Sequence, residues 1–191
     1  MARKSKRSIG KKGGYNAAIL AVLVIALLVG VSYGVYEVYL KVTPPAEYFQ
    51  SFLLIRAPIV DQYSGTVSSQ LFHFPIPDNI GRSVPGGIWN SHDYDTDGYL
   101  PGYYPLYTTD TTGTITVESK VARSYTLGDF FNVWGKTLNS TQVLSLKNGS
   151  ENCPSCIWMM WVMDGAGHNQ TSTEFQRHVI QSNEIVSLTY G

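Results

Sequence analysis

Three groups of side chains in this chain have the types and spacing to do chemistry. Asp93-Tyr94-Asp95-Thr96-Asp97-Gly98 sets three carboxylates at alternate positions ahead of a glycine. A calcium loop opens this way: alternate carboxylates converge on one hard cation and the glycine permits the sharp turn. The bidentate Glu of a full loop is replaced here by Tyr104, and Pro101-Gly102 leaves little room for a flanking helix. The competing reading is a solvated acidic turn held by side chain to main chain hydrogen bonds. Asp93, Asp95 and Asp97 are thus the candidate metal ligands, with calcium as the ion.

The second group is Cys153-Pro154-Ser155-Cys156. A redox-active C-x-x-C opens a helix whose N-terminus stabilises the thiolate, but this pair follows a loop and precedes a strand-like run. The expectation is a local disulfide between Cys153 and Cys156, and without a second pair the motif is half a zinc site. The third group is Met159, Met160 and Met163, with Trp158 and Trp161, near the cysteines and His168. Soft sulfur donors suit Cu(I), yet strand alternation sends Met159 and Met163 to one face and Met160 to the other. Core packing is the expectation for these methionines, and copper is disfavoured. His73, His92, His168 and His178 share no ligand spacing, and no G-x-S-x-G, H-E-x-x-H or phosphate loop occurs. No catalytic residue is assigned, and neither an enzyme nor a bound cofactor is expected.

These groups must be positioned by a chain whose charge is unevenly spread. The 191 residues carry 14 Lys+Arg and 14 Asp+Glu, a formal net charge of zero. Six of the bases (Arg3, Lys4, Lys6, Arg7, Lys11, Lys12) fall within the first twelve residues, where there is no acid. Residues 44–191 hold seven bases against thirteen acids, a net of −6. An acidic domain of that kind repels phosphate, which excludes nucleic acid as a partner. Between stub and domain, Ala17 to Tyr36 is an uncharged, Leu/Ile/Val-rich run of twenty residues. At about 1.5 Å per residue it reads as one transmembrane helix, with Tyr15 and Tyr33, Tyr36 and Tyr39 at the interfaces. The bases retain the N-terminus in the cytoplasm and place the following domain outside. A cleaved signal peptide is the competing reading, opposed by the length of the run. Gly30 and Gly34 form G-x-x-x-G, a candidate contact with another membrane helix.

The predicted organisation is a basic cytoplasmic stub over 1–14, a membrane helix over 15–40, a Pro-containing stalk over 41–50 and an extracytoplasmic domain over 51–191. Asn139, Asn148 and Asn169 head N-x-S/T sequons and are candidate glycan acceptors outside the cell. Within the domain, Phe52–Ile59, Leu71–Ile76, Thr114–Ser119, Ile157–Met163 and Glu184–Tyr190 read as strands, the fourth of them as a buried one. Thr126-Leu127-Gly128-Asp129 is a capping box opening a helix with Leu127, Phe130, Phe131 and Trp134 on one face and Gly135 at its end. Gly81 to Tyr107 is a long loop whose Trp89, Tyr94, Tyr99, Tyr103 and Tyr104 are the candidate partner-contact residues, since aromatic side chains anchor interfaces. The fold class expected is α+β: one N-terminal transmembrane helix plus a mixed-sheet domain, β-grasp-like in its C-terminal half.

The segments TTDTTGTITVES, YTLGDFFNVWG and TEFQRHVIQSNEIVSLTYG resemble an uncharacterised family of membrane-anchored archaeal proteins with bacterial relatives, over roughly residues 70–191. The family pattern has histidines where this chain has Tyr107, Thr109 and Thr116, and D-G-D where it has Gln181-Ser182-Asn183. The resemblance therefore implies fold and anchoring but no metal ligands. The expected function is a single-pass, membrane-anchored binding or accessory protein, working with the lipid bilayer and with other membrane or surface proteins. An outer-face redox or metal protein, binding copper or calcium, is the alternative.

Overall fold

The computed structural model describes residues 22–35, 44–60, 67–151 and 153–191. The chain divides into two compact units, Met1–Pro44 and Pro45–Gly191. In the first, residues 22–35 form helix α1, whose apolar side chains are exposed. Fourteen residues rise only about 21 Å, short of the roughly 30 Å hydrocarbon core. No helix among the described residues is long and apolar enough to cross a membrane. The expected bilayer-spanning helix over 15–40 is corrected accordingly. Residues 1–14, 15–21 and 36–40, on which the stub and the ends of that expectation fall, lie outside the described residues. A side chain built on Gly30 or Gly34 would meet nothing within 4 Å.

The second unit is mixed α+β and mostly sheet. Strand β1 (Glu47–Val60) begins inside the expected stalk, because Glu47 to Phe52 pair antiparallel with β4 (Thr114–Ser119). Further along, Phe52 to Arg56 pair in parallel with β10 (Ile185–Tyr190), and Arg56 to Val60 pair antiparallel with β2 (Val67–His73). A strand has two edges, and Phe52 bonds Thr114 on one and Ile185 on the other, so β4 and β2 share one edge of β1 in succession. The other edge continues through β10 to β8 (Trp158–Met163) and β9 (Asn169–Ser172), while β3 (Leu106–Tyr107) borders β4. A separate meander joins β5 (Leu138–Asn139), β6 (Gln142–Val143) and β7 (Leu146–Lys147).

The strand in parallel with the last strand is the first strand of the domain, so the sheet is assembled from both ends of the chain. The expectation of a β-grasp-like C-terminal half fails for that reason: β8, β9 and β10 alone lack the strand that β10 needs on its other edge.

Helix α2 (Leu127–Trp134) forms as its capping box dictates. The Asp129 amide donates to Thr126 Oγ1 at 3.1 Å and the Thr126 amide to Asp129 Oδ2 at 2.8 Å. Gly135 stops the helix with φ of 70°, the left-handed turn that favours glycine. Leu127, Phe130, Phe131, Val133 and Trp134 are buried and share one core with Leu53, Ile55, Val117, Met160, Val186 and Leu188 of the sheet.

Candidate binding surface

Side chains alternate along a strand, so each strand of the sheet sends every second residue to the covered face and the rest to the opposite one. Along β8 the pattern is strict. Trp158, Met160 and Val162 are buried at 4%, 1% and 4% exposure, whereas Met159 and Trp161 each keep 37%. The expectation that all three methionines pack in the core, on a buried strand, is therefore corrected. Met160 is core, and Met159 and Met163 flank Trp161 on a face that α2 does not cover.

The register builds that open face row by row. Phe52 lies beside Ile185 and Ile185 beside Met163; Leu54 beside Ser187 and Ser187 beside Trp161; Arg56 beside Thr189 and Thr189 beside Met159. Cross-strand neighbours of this kind stand about 4.5–5.5 Å apart and pack into one surface. Leu71, 40% exposed, extends the surface across β2. Between these side chains runs an open groove of about 460 Å³, lined by Leu54, Arg56, Leu71, Trp161, Met163, Asn169, Ile185, Ser187 and Thr189. Exposed apolar side chains scattered singly are ordinary; here Met159, Trp161 and Leu71 are exposed on one face, with Leu54, Ile185 and Met163 half-buried on the same face. Arg56 is the one charged residue of a lining that also holds Asn169, Ser187 and Thr189. Its Nε is buried without a hydrogen-bond partner, and the guanidinium enters no ion pair among the described residues.

Of the loop residues expected to make the contact, Tyr104 is buried, and Trp89, Tyr94, Tyr99 and Tyr103 are half-buried. Tyr104 is 1% exposed and belongs to the core, with Trp89 edge-on to its ring at 5.8 Å and Tyr94 tilted at 6.4 Å. Tyr94 also meets Tyr125 edge-on at 6.1 Å and carries the Arg123 guanidinium 3.7 Å above its ring. Tyr103 packs on Tyr107 at 4.8 Å and under Arg82 at 5.3 Å, and Tyr99 is half-buried. Gly81 makes the loop's close approach possible: its φ is 72°, and a Cβ there would collide with the Leu106 carbonyl. Tyr104 thus belongs to the core, with Trp89 and Tyr94 packed against it and keeping part of their surface exposed.

The three loop carboxylates are held by different partners. Asp93 Oδ2 accepts from Ser91 Oγ at 3.1 Å, and Asp95 Oδ1 accepts from the Trp89 indole at 2.9 Å while Oδ2 lies 2.7 Å from His92 Nδ1. Asp97 Oδ2 faces Arg123 at 3.5 Å. Among the described residues, no three of His, Cys, Asp and Glu converge to hold a metal ion. Cys153 and Cys156 form the expected disulfide, with Cα atoms 5.3 Å apart and both residues buried.

The sequons separate by role. Asn139 Oδ1 accepts from the Thr141 and Gln142 amides at 2.9 and 2.8 Å, and Asn148 Oδ1 accepts from the Trp158 amide at 2.8 Å, so both stitch turns together. Asn169 is exposed, at the rim of the groove.

A buried polar unit was not legible from spacing. His178 Nε2 lies 3.0 Å from Glu184 Oε2 and its Nδ1 3.3 Å from Glu174 Oε2, with Glu184 only 2% exposed. The Gln181 amide donates to Glu184 Oε1 at 2.8 Å, and the His178 carbonyl accepts from the Leu127 amide at 2.8 Å. Burial works against a charged imidazole, but the hydrogen bonds and charges of Glu184 and then Glu174 outweigh it and hold the His178 pKa above its ordinary value. The unit ties the last turn of the chain to the start of α2. Burial likewise raises the Tyr107 phenol, helped by its 2.6 Å hydrogen bond to Glu118 Oε2.

Arg56 and the open-face rows were also missed. The signal for them was present: in Phe52-Leu53-Leu54-Ile55 both parities are apolar, as expected of a strand with something to bury on each face. No protein-family model, curated protein or solved structure matches this chain.

Proposed function

We propose that this protein is a non-catalytic binding or accessory domain that docks another protein on the open face of its sheet. The observation that carries the reading is the pair of adjacent rows in which Trp161 is exposed and Leu54, Ile185 and Met163 are half-buried, while their neighbours Leu53, Ile55, Val162 and Val186 on the opposite face are buried. A face of this sort is stable in water only at a cost of about 25 cal/mol for each Å² of apolar surface left wet, so covering it drives association. The disulfide supports work in an oxidising compartment, outside the cytoplasm.

The test is site-specific photocrosslinking in the full chain, with p-benzoylphenylalanine in place of Trp161 or of Tyr103. Crosslinks from position 161 to a discrete second protein, with none from position 103, are the expected result. The reverse pattern would return the contact to the loop.

A further inference from the structure

Resting on the docking reading above, we infer that the occupant of the open face is an amphipathic helix of a partner protein that presents an Asp or Glu carboxylate to Arg56 from within its apolar stripe.

The helix follows from hydrogen bonding. Main-chain N–H and C=O groups of a sheet point along its plane to neighbouring strands, so the face itself offers none of them to a ligand. An extended segment laid flat there would lose water from its own backbone without replacement, whereas a helix brings its backbone already satisfied. The dimensions agree: three adjacent strands span about 10 Å, close to the diameter of a helix with its side chains.

The carboxylate follows from charge. Arg56 is the one Lys or Arg that the strand register places on this face, and its Nε is buried and unpartnered. Among the described residues, Glu118 is the one acid on the same face, but it lies beside Tyr48, eight residues back along β1 and so about 26 Å from Arg56. Glu118 is also already bonded to Tyr107. A second copy joined face to face would bring the same residues and still offer Arg56 no free acid. No described residue of this chain supplies the group, and the proposal places it on a different chain, set among side chains apolar enough to meet Leu54, Leu71, Trp161 and Ile185.

The experiment measures binding of labelled 18-residue helical peptides to the full chain by fluorescence anisotropy. Their leucines follow i, i+3, i+4, i+7 spacing, and one central stripe position is Glu, Gln or Lys. The Glu peptide is expected to bind about tenfold more tightly than its Gln twin, the advantage of a charge-assisted hydrogen bond over a neutral one, and the Lys peptide more weakly than either. Arg56→Gln should erase the Glu preference while leaving the Gln peptide's affinity unchanged, and Arg56→Lys should restore part of it, with thermal melts checking that each variant is folded. Trp161→Glu should weaken all three peptides.

Equal affinity for Glu and Gln peptides, or a preference that survives Arg56→Gln, overturns the carboxylate. Failure of every peptide while position 161 still crosslinks to another protein overturns the helix and leaves the docking reading standing. Crosslinks from position 161 only to a second copy of this chain overturn the foreign partner. Absence of any crosslink from that position removes the docking reading itself.

Discussion

The two faces of the seven-stranded sheet come from the same strands, in alternate residues, and differ in what they meet. On the covered face, Leu53, Ile55, Met160, Val186 and Leu188 pack against α2 and the 81–107 loop, and each is at most 1% exposed. On the open face, Leu54, Trp161, Met159 and Ile185 are of similar apolar character and remain half-buried or exposed. The difference teaches that apolar residues alone do not say which face becomes core. The covering elements decide it, and among the described residues α2, the 81–107 loop and the β5–β7 meander all contribute to the one core.

That contrast can be broken most forcefully from the covered face. Phe130→Ala removes a fully buried ring from α2 and is expected to cost about 3–5 kcal/mol in urea unfolding of the full chain. A loss below about 1 kcal/mol would mean that α2 does not seal the sheet as described.

The next largest effect concerns the polar tie that seats α2. His178→Ala leaves the Glu184 carboxylate buried without its imidazole and should cost about 3 kcal/mol. The same pair sets a pH dependence. Because the folded state holds His178 above the ordinary histidine pKa of about 6.5, it binds the proton more tightly than the unfolded chain does. The stabilisation is present in full below that ordinary value and is lost as pH rises through the higher folded one. Unfolding midpoints should fall over this window in the natural chain, and the fall should vanish in His178→Ala. A fall that persists in the variant would assign the proton to another group.

Reduction of Cys153–Cys156 is expected to cost less, about 2 kcal/mol, because the closed loop is so short that little chain entropy is removed from the unfolded state. The measurement is a melt with and without reductant; a loss above about 4 kcal/mol would show that the bridge organises more of the β7–β8 connection than its own turn.

The smallest stability effect sharpens the comparison most. Trp161→Ser, on the open face, should change stability by under about 1 kcal/mol, although a buried Trp would cost several times that. In the same variant, crosslinking of a neighbouring open-face position to its partner should disappear. A loss of several kcal/mol with crosslinking intact would turn Trp161 into an ordinary core residue.

Local structure was legible wherever its cause was local. Thr126, Asp129 and Gly135 specify both ends of α2 by hydrogen bonds within a few residues of each other, and the helix lies where they put it. The strand at Thr114–Ser119 followed from its alternation, as did the opposite placement of Met160 from Met159 and Met163. The disulfide followed from the separation of its two cysteines.

Other features could only come from contacts distant in sequence. His178 and Glu184 are six residues apart, yet what makes them a unit is burial beneath β1 and α2. The aromatics of the 81–107 loop suggested an interface by composition, and only the tertiary packing shows that Tyr104 joins the core while Trp89 and Tyr94 lie half-buried against it. Arg56 shows the limit most plainly: the alternation places its side chain on one face, but nothing local says that no acid among the described residues shares that face within reach. The sequence by itself thus determined the capped helix, the strand parities and the disulfide, all governed by interactions a few residues long. Only the tertiary structure decided which parity is covered, because that depends on where α2 and the loop close over the sheet, and with it which apolar residues are left to meet a partner.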